Sequence, residues 1–246
     1  MLNCLTLKLR KKELKFKVLA IFKKEFKYLF FVPAFYINLF FVYLCSIISW
    51  NNDFLVFSGS IKHILPVFVG CVGAALLSKE FKEKTYKLLF SVPVKTSSVV
   101  LGKYLALVCT MYLSYVILFI IKLMLFVFFG AYLVVAEMVR SLIAVFFIVA
   151  LYSAVSIAFS SMTSNVGLAC GIVVSGIFLS FLGSQFLSSY GFRFKWYLEL
   201  YSLIFESFKP FGKLLYGIYS LESVGYFVVV ILACLFLSKK YLEFKR

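Results

Sequence analysis

The sequence predicts an all-α protein that crosses a lipid bilayer several times. Of its 246 residues, 63% are hydrophobic and only 15% are charged, and the mean hydropathy is +1.02. A soluble domain has about 45–50% apolar and about 25% charged residues, so this composition could not cover a soluble surface without large apolar patches. In addition, the apolar residues form runs of the length that a helix needs to cross a bilayer, roughly 20 residues.

Six apolar runs are predicted to be membrane spans within a single transmembrane domain that covers residues 1–246. The first span stays in the mature protein, because its apolar run is longer than that of a signal peptide and no small-x-small cleavage site follows it. The apolar residues 123–135 are too few to cross alone, so they either extend the third span or lie at the interface. The six spans cover about residues 28–48, 61–78, 101–121, 139–162, 167–187 and 224–238.

Residues 1–27 precede the first span and are rich in lysine. Apolar residues recur there at helical spacing, which predicts a basic amphipathic helix on the membrane surface. A disordered basic tail is the alternative interpretation. The apolar positions of the repeat are Leu14, Val18, Ile21, Phe22, Phe26 and Leu29.

The distribution of basic residues predicts the orientation. Of the 26 lysines and arginines, 19 lie in segments 1–27, 79–103 and 239–246. Cytoplasmic segments carry an excess of lysine and arginine, so both termini are expected in the cytoplasm of a bacterial-type inner membrane. A seventh span at 123–135 would place the basic C-terminus outside. The net charge of +16 is accounted for in this way, and no soluble basic domain exists to bind nucleic acid.

Residues 79–100 form a charged segment between the second and third spans. It contains an apolar patch at Leu88–Phe90 and a break at Pro93. We predict a short amphipathic helix, a proline turn, and a new helix that begins between Thr96 and Ser98, whose hydroxyls suit an N-cap. An ordinary basic loop is the alternative.

Small residues mark two helix faces. Gly70, Gly73 and Ala74 give the second span a face on which another helix can pack closely. Gly167, Gly171 and Ser175 fall on one face of the fifth span, and the first two form a GxxxG pair. This second face is predicted to pack either against another subunit or against a helix of the same chain.

Several kinds of catalytic chemistry are excluded by the residues present. A single histidine rules out an H-E-x-x-H zinc site, and there is no G-x-x-x-x-G-K-[ST] phosphate loop or G-x-S-x-G elbow. The six cysteines form no C-x-x-C pair, so no metal or cofactor site is expected. The spans contain almost no carboxylates, whereas ion-driven carriers usually bury them. The chain is therefore expected not to be an enzyme, and the energy for any transport is expected to come from elsewhere.

Segment 79–106, KEFKEKTYKLLFSVPVKTSSVVLGKYLA, resembles the loop between spans 2 and 3 of ABC-2 type transporter permeases. Two positions depart from the family pattern: Lys84 replaces the usual glycine, and Lys87 stands where an acidic residue is common. The matching residues are Glu80, Glu83, Thr85, Leu88, Leu89, Pro93, Leu101, Gly102, Lys103 and Tyr104.

Two further segments resemble the same family. Ser160–Asn165 is similar to its S-S-L-T-x-N-Q junction after span 4, and Lys24-Glu25-Phe26 is similar to its opening K-E-F/L. In its length and the general character of its sequence, the chain is most similar to the gliding-motility-associated and related small export permeases.

The resemblance implies that the chain is the permease subunit of an ATP-binding-cassette exporter. It would pair with a second permease subunit, identical or different, and a separate ATPase subunit would hold ATP and Mg²⁺. A stand-alone secondary transporter or channel is the main alternative, and a membrane scaffold without transport is another. The residues implied to couple the chain to the ATPase are Glu80, Phe81, Glu83, Thr85, Leu88, Leu89 and Pro93.

Overall fold

A computed structural model of the chain describes residues 18–48, 54–85, 95–128, 135–189 and 208–245. These residues are almost entirely helical, and no strand occurs among them. The helices are α1 (Val18–Phe31), α2 (Pro33–Ile48), α3 (Phe54–Lys82), α4 (Thr96–Phe128), α5 (Val135–Met162), α6 (Val166–Ser189), α7 (Phe208–Leu215) and α8 (Leu221–Phe244).

The first two helices meet at a bend of 61° at Val32. Pro33 causes this break, because proline lacks a backbone N–H and disfavours the helical conformation in the residue before it. The bend lies a few residues after the predicted start of the first span at residue 28. In helix α1, the predicted apolar position Leu29 is buried and Ile21, Phe22 and Phe26 are half-buried, whereas the neighbouring Lys23, Lys24 and Lys27 are exposed. Glu25 is buried as well, and Leu19 is exposed. That α1 lies on the membrane surface stays a prediction. The part of the predicted amphipathic helix before Val18 lies outside the described residues.

The helices extend beyond the apolar runs from which they were predicted. Helix α4 continues through Lys122 to Phe128, so the described part of segment 123–135 extends the third helix. Helix α8 begins before the predicted span and continues through Lys239 and Lys240 to Phe244. Lysine and glutamate are good helix formers, so a helix can continue past the apolar layer that defines the span.

The multi-pass character of the chain is supported, but the predicted number of six spans is not confirmed. Four helical segments are long and apolar enough to cross a membrane, and the count is five if the bent pair α1–α2 forms one span. Helix α6 is apolar over the shorter stretch Val166–Leu179. The four qualifying segments are Ile64–Lys82, Thr96–Ile121, Ala136–Met162 and Leu221–Phe244.

Helix α5 lies at the centre of the bundle and packs against α3, α4, α6, α7 and α8. It comes close to α3 at Gly73, where a Cβ atom would collide with Ser156 Oγ and would also lie 2.7 Å from Leu107 Cδ2 of α4. At Gly70, a Cβ atom would lie 2.6 Å from Val173 Cγ1 of α6. The predicted small face of α3 is therefore confirmed, and it contacts three helices, α4, α5 and α6.

Helix α2 packs against α3 and α4. Asn38 is fully buried there and donates from Nδ2 to Ser114 Oγ over 2.7 Å. A hydrogen bond of this kind joins helices in a bilayer, where lipid offers no partner for a polar side chain.

The connection between α5 and α6 is as short as the sequence predicted. Helix α5 ends at Met162 and α6 begins at Val166. Asn165 Oδ1 accepts from the Gly167 backbone N–H over 3.0 Å, which is the usual hydrogen bond of an N-cap residue. Between α6 and α8, the short helix α7 buries Phe211 and Leu214, while residues 190–207 lie outside the described part.

Candidate functional site

The described residues of the segments that the charge count assigned to one side of the membrane meet at one end of the bundle. Here the last turns of α3, α5 and α8 meet α1 and the first turns of α4, and we call this region the polar end. Its residues are 24–25, 76–85, 95–103, 160–165 and 239–245. Exposed lysines of the polar end are Lys24, Lys79, Lys82, Lys84, Lys95 and Lys240.

A buried ion triad joins three helices at the polar end. Lys103 of α4 is 1% exposed, and its Nζ lies 3.0 Å from Glu25 Oε1 of α1 and 2.8 Å from Glu80 Oε1 of α3. The same ammonium group donates to the carbonyl oxygen of Leu76 over 3.5 Å. A buried lysine is strongly unfavourable without such partners, so the triad fixes the positions of α1, α3 and α4 relative to one another.

Gly102 and Lys103, which belong to the L-G-K-Y segment, act together in this contact. A Cβ atom at Gly102 would lie 2.8 Å from Ile21 Cγ2 and 3.3 Å from the Val18 carbonyl oxygen. The absence of a side chain at Gly102 therefore allows α1 to approach α4. This close approach brings Glu25 within reach of Lys103. The helix contact therefore needs a glycine at position 102 and a lysine at position 103.

Ser160, in the last turn of α5, joins this helix to the backbone of α3. Its Oγ accepts from the backbone N–H groups of Leu77 and Ser78, over 2.9 and 3.0 Å, and donates to the Ala74 carbonyl oxygen over 2.6 Å. Ser78 Oγ also lies 3.5 Å from Thr163 Oγ1. All three segments that resemble the permease family therefore contribute to the polar end.

The C-terminal residues of α8 close the polar end. Lys245 Nζ lies 4.0 Å from the centre of the Phe81 ring and donates to the Ser161 carbonyl oxygen over 3.4 Å. Burial lowers the pKa of the Lys245 ammonium group. Thr96 Oγ1 donates to Glu243 Oε1 over 3.0 Å. The contacts of Glu243 and Lys245 are not predictable from the sequence, because a charged segment gives no sign of which residues it touches.

The predicted coupling residues fall in two groups. Glu80 and Phe81 belong to the last turn of α3 and not to a separate short helix, and Glu83 and Thr85 lie in the turn that follows. Glu80 pairs with Lys103 and Phe81 lies under Lys245, so both have partners within the chain. The remaining predicted residues, Leu88, Leu89 and Pro93, lie outside the described residues. The role of the group in coupling stays a prediction.

Lys84 adopts the backbone conformation that explains why the family usually has glycine at this position. Its φ angle is +57°, in the left-handed region where a residue that ends a helix is most often glycine. The backbone N–H of Lys84 donates to the Phe81 carbonyl oxygen over 3.3 Å. The turn after α3 therefore keeps its geometry although lysine replaces glycine.

Helix α4 begins at Thr96 as predicted, but the hydroxyls do not cap it as expected. Thr96 bonds to Glu243, and Ser98 Oγ is buried without a hydrogen-bond partner in the described ranges. The Lys95 carbonyl oxygen instead accepts from the Ser98 backbone N–H over 2.9 Å.

The small face of α6 points away from the rest of the chain. Gly167, Gly171 and Ser175 are exposed, whereas Ala169 and Val173 on the opposite face are buried. A Cβ atom at Gly171 would meet nothing within 4 Å. Of the two predicted uses of this face, packing within one subunit is therefore not seen in the described part of the chain.

A group of three or more His, Cys, Asp or Glu side chains that could hold a metal ion is absent from the described ranges. The expectation that ATP and Mg²⁺ bind a partner chain stays a prediction.

The family to which the chain was compared with success is the one that the three segments at the polar end resemble. No curated protein matches the chain. A family model described as ABC-2 family transporter protein matches residues 10–238, which is most of the sequence. The chain therefore belongs to the ABC-2 family of transporter proteins, whose members are membrane permease subunits of ABC transporters.

Proposed function

We propose that this permease exports its substrate and that a separate ATP-binding-cassette ATPase drives it through the polar end. The observation that carries the proposal is the buried triad of Glu25, Glu80 and Lys103, which ties the end of α3 to α1 and α4. A push on the turn after α3 would therefore move three helices together. Packed interfaces respond to such a push by switching between discrete arrangements.

The arrangement of charges supports this proposal. The carboxylates in the four span-length segments lie within a few residues of the segment ends: Glu80, Glu137, Glu222 and Glu243. A carrier driven by protons or sodium ions usually has acidic groups near the bilayer midplane. The exposed lysines of the polar end are typical of a cytoplasmic surface, where a soluble ATPase would bind.

In the proposed complex, a second permease subunit, identical or different, packs against the exposed face formed by Gly167, Gly171 and Ser175. Small residues at this spacing allow two helices to approach closely in lipid. ATP and Mg²⁺ would bind only the ATPase subunits. We place the complex in a bacterial-type inner membrane, and we extend the resemblance to the gliding-motility-associated permeases as part of the proposal.

We expect Leu88→Asp and Leu89→Asp each to lower co-purification of the ATPase by at least about ten-fold, which corresponds to about 1.4 kcal/mol. The reason is that Leu88 and Leu89 form the apolar patch in the charged segment, and a carboxylate in an apolar contact loses its hydration. The measurement is the amount of phosphate-loop ATPase, identified by mass spectrometry, that co-purifies with tagged full-length permease from its native membranes.

Leu221→Asp is the matched control, because Leu221 is 93% exposed at the other end of α8. It is expected to leave co-purification unchanged. Membrane fractionation shows whether each variant inserts normally. If the Leu88 and Leu89 variants insert and still bind the ATPase as the unmodified chain does, the coupling assignment is wrong.

A further inference from the structure

We propose that a cavity beside the ion triad binds an amphiphile with an apolar chain and a protonated amine, and that Glu80 receives the amine. This inference concerns a ligand of the permease itself and does not depend on the ATPase. It is carried by the shape of the cavity, by the charge of the triad and by one buried carboxylate oxygen.

The cavity has a volume of about 820 Å³, within the range of about 300–1,000 Å³ that is typical of sites for small ligands. The bend at Val32 opens it, because α1 turns away where α2 begins. The small side chains of Ala34 and Ala75 leave the space unfilled. Apolar residues that line the cavity include Leu29, Val32, Val72 and Leu76.

The triad that forms the polar wall has more acidic than basic groups. Glu25, Glu80 and Lys103 all line the cavity, and two carboxylates facing one ammonium group give a formal charge of −1 when all three are ionised. Glu80 Oε1 bonds to Lys103, but Glu80 Oε2 is buried and has no hydrogen-bond partner in the part of the chain that the structure describes. A buried polar atom left without a partner costs about 1–3 kcal/mol, and more if it is charged.

The ammonium group of a ligand would neutralise the formal charge of −1 on the triad, and it would donate a hydrogen bond to Glu80 Oε2. The remaining charged groups around the cavity are Lys24, Lys79 and Glu83, and all three are exposed. Lys79 already lies 3.5 Å from Tyr28 Oη and 4.0 Å from Glu83 Oε1. An anionic headgroup could reach the lysines at this rim, but it would leave Glu80 Oε2 without a partner. The observations therefore favour an amine.

The apolar walls favour a ligand with a hydrocarbon chain. Removal of hydrocarbon from water contributes about 0.8 kcal/mol for each CH₂ group buried, so the chain would supply affinity and the amine would supply orientation. The cavity is lined by residues of α1 and of the span-length segment of α3, and Leu19, Tyr28 and Phe31 of α1 are exposed. A ligand could therefore reach it from the membrane.

The test uses full-length permease in phosphatidylcholine vesicles and three photoreactive probes with the same diazirine-bearing dodecyl chain. Their headgroups are an amine, an alcohol and a phosphate. At equal membrane concentration, we expect the amine to label peptides of α1 and α3 at least about ten-fold more than the alcohol, a ratio equivalent to about 1.4 kcal/mol. Tandem mass spectrometry locates the labelled residues.

Two variants separate the role of Glu80 from that of the cavity. Glu80→Gln is expected to lower amine labelling to the level of the alcohol. Ala75→Trp fills the cavity without altering the triad and is expected to lower labelling by all three probes. Glu137→Gln, which removes a carboxylate from the first turn of α5, is the control and is expected to change nothing.

Equal labelling by the amine and the alcohol would overturn the proposal, as would amine labelling that survives Glu80→Gln. Preference for the phosphate probe would also overturn it and would assign the site to an anionic headgroup bound by Lys24 and Lys79. If Glu80→Gln does not fold, Ala75→Trp decides, because persistent amine labelling in that variant contradicts binding in the cavity. Loss of the ATPase leaves these expectations unchanged, so failure here is distinguishable from failure of the proposed function.

Discussion

Replacement of Lys103 by methionine is expected to lower the free energy of unfolding by about 3–5 kcal/mol. Methionine preserves most of the side-chain volume but removes the ammonium group. Glu25 Oε1 and Glu80 Oε1, which lie 3.0 and 2.8 Å from Lys103 Nζ, would then face each other without a cation between them. Unfolding in mixed detergent micelles, followed by circular dichroism, measures the loss.

Lys213→Met is the matched control for this prediction. Lys213 Nζ lies 3.0 Å from Glu222 Oε2, but the two side chains are 45% and 81% exposed. An exposed ion pair contributes only about 0–1 kcal/mol, so this variant should unfold almost like the unmodified chain. Adding Glu25→Gln and Glu80→Gln to Lys103→Met should recover part of the lost stability, because the uncompensated carboxylates are then removed. Equal losses for Lys103→Met and Lys213→Met would contradict a structural role for the buried triad.

The second large effect is expected for Gly73→Ala, at about 1–3 kcal/mol of lost stability. The added methyl group would collide with Ser156 Oγ and lie 2.7 Å from Leu107 Cδ2. Both neighbours belong to packed helices, so α3 would have to move away from α5 and α4. This cost opposes the higher helix propensity of alanine, which favours the substitution by about 0.5–1 kcal/mol. The same unfolding measurement in detergent determines the net change.

Gly171→Ala is the control, because a Cβ atom at Gly171 meets nothing within 4 Å of the chain. In detergent-solubilised monomer it is expected to leave stability unchanged or raise it by about 0.5–1 kcal/mol through helix propensity alone. A loss of stability at Gly171 equal to that at Gly73 would show that the close packing of α3 is not the cause.

The sequence predicted where the long helices lie, although not the number of spans, because an apolar helix is specified locally. Apolar runs of span length predicted the main helices, and Thr163–Asn165 marked the break between α5 and α6 because it combines short polar residues with an N-cap asparagine. The close helix contact at Gly73 was predicted from the small residues on one face of α3. In each case the relevant information lies within one helix or one turn.

The ion triad could not be predicted in the same way, because it depends on tertiary contacts. Lys103 lies 78 positions from Glu25 and 23 positions from Glu80 along the chain. Counting charges placed all three residues in solvated segments on one side of the membrane, and nothing local indicates that Lys103 is buried. The bend at Val32 is not predicted either, because the change from lysine-rich to apolar sequence at about residue 28 marks the start of the first span and precedes the proline that breaks the helix.

The side of the membrane on which the polar end lies can be measured directly by labelling with a membrane-impermeant maleimide. Lys84→Cys at the polar end and Tyr219→Cys near the start of α8 are introduced separately, in a chain whose 6 native cysteines are replaced. In intact cells we expect label on the Tyr219→Cys variant alone, and in inside-out vesicles on the Lys84→Cys variant alone. Label on the Lys84→Cys variant in intact cells would place the polar end outside, where no ATPase could drive it.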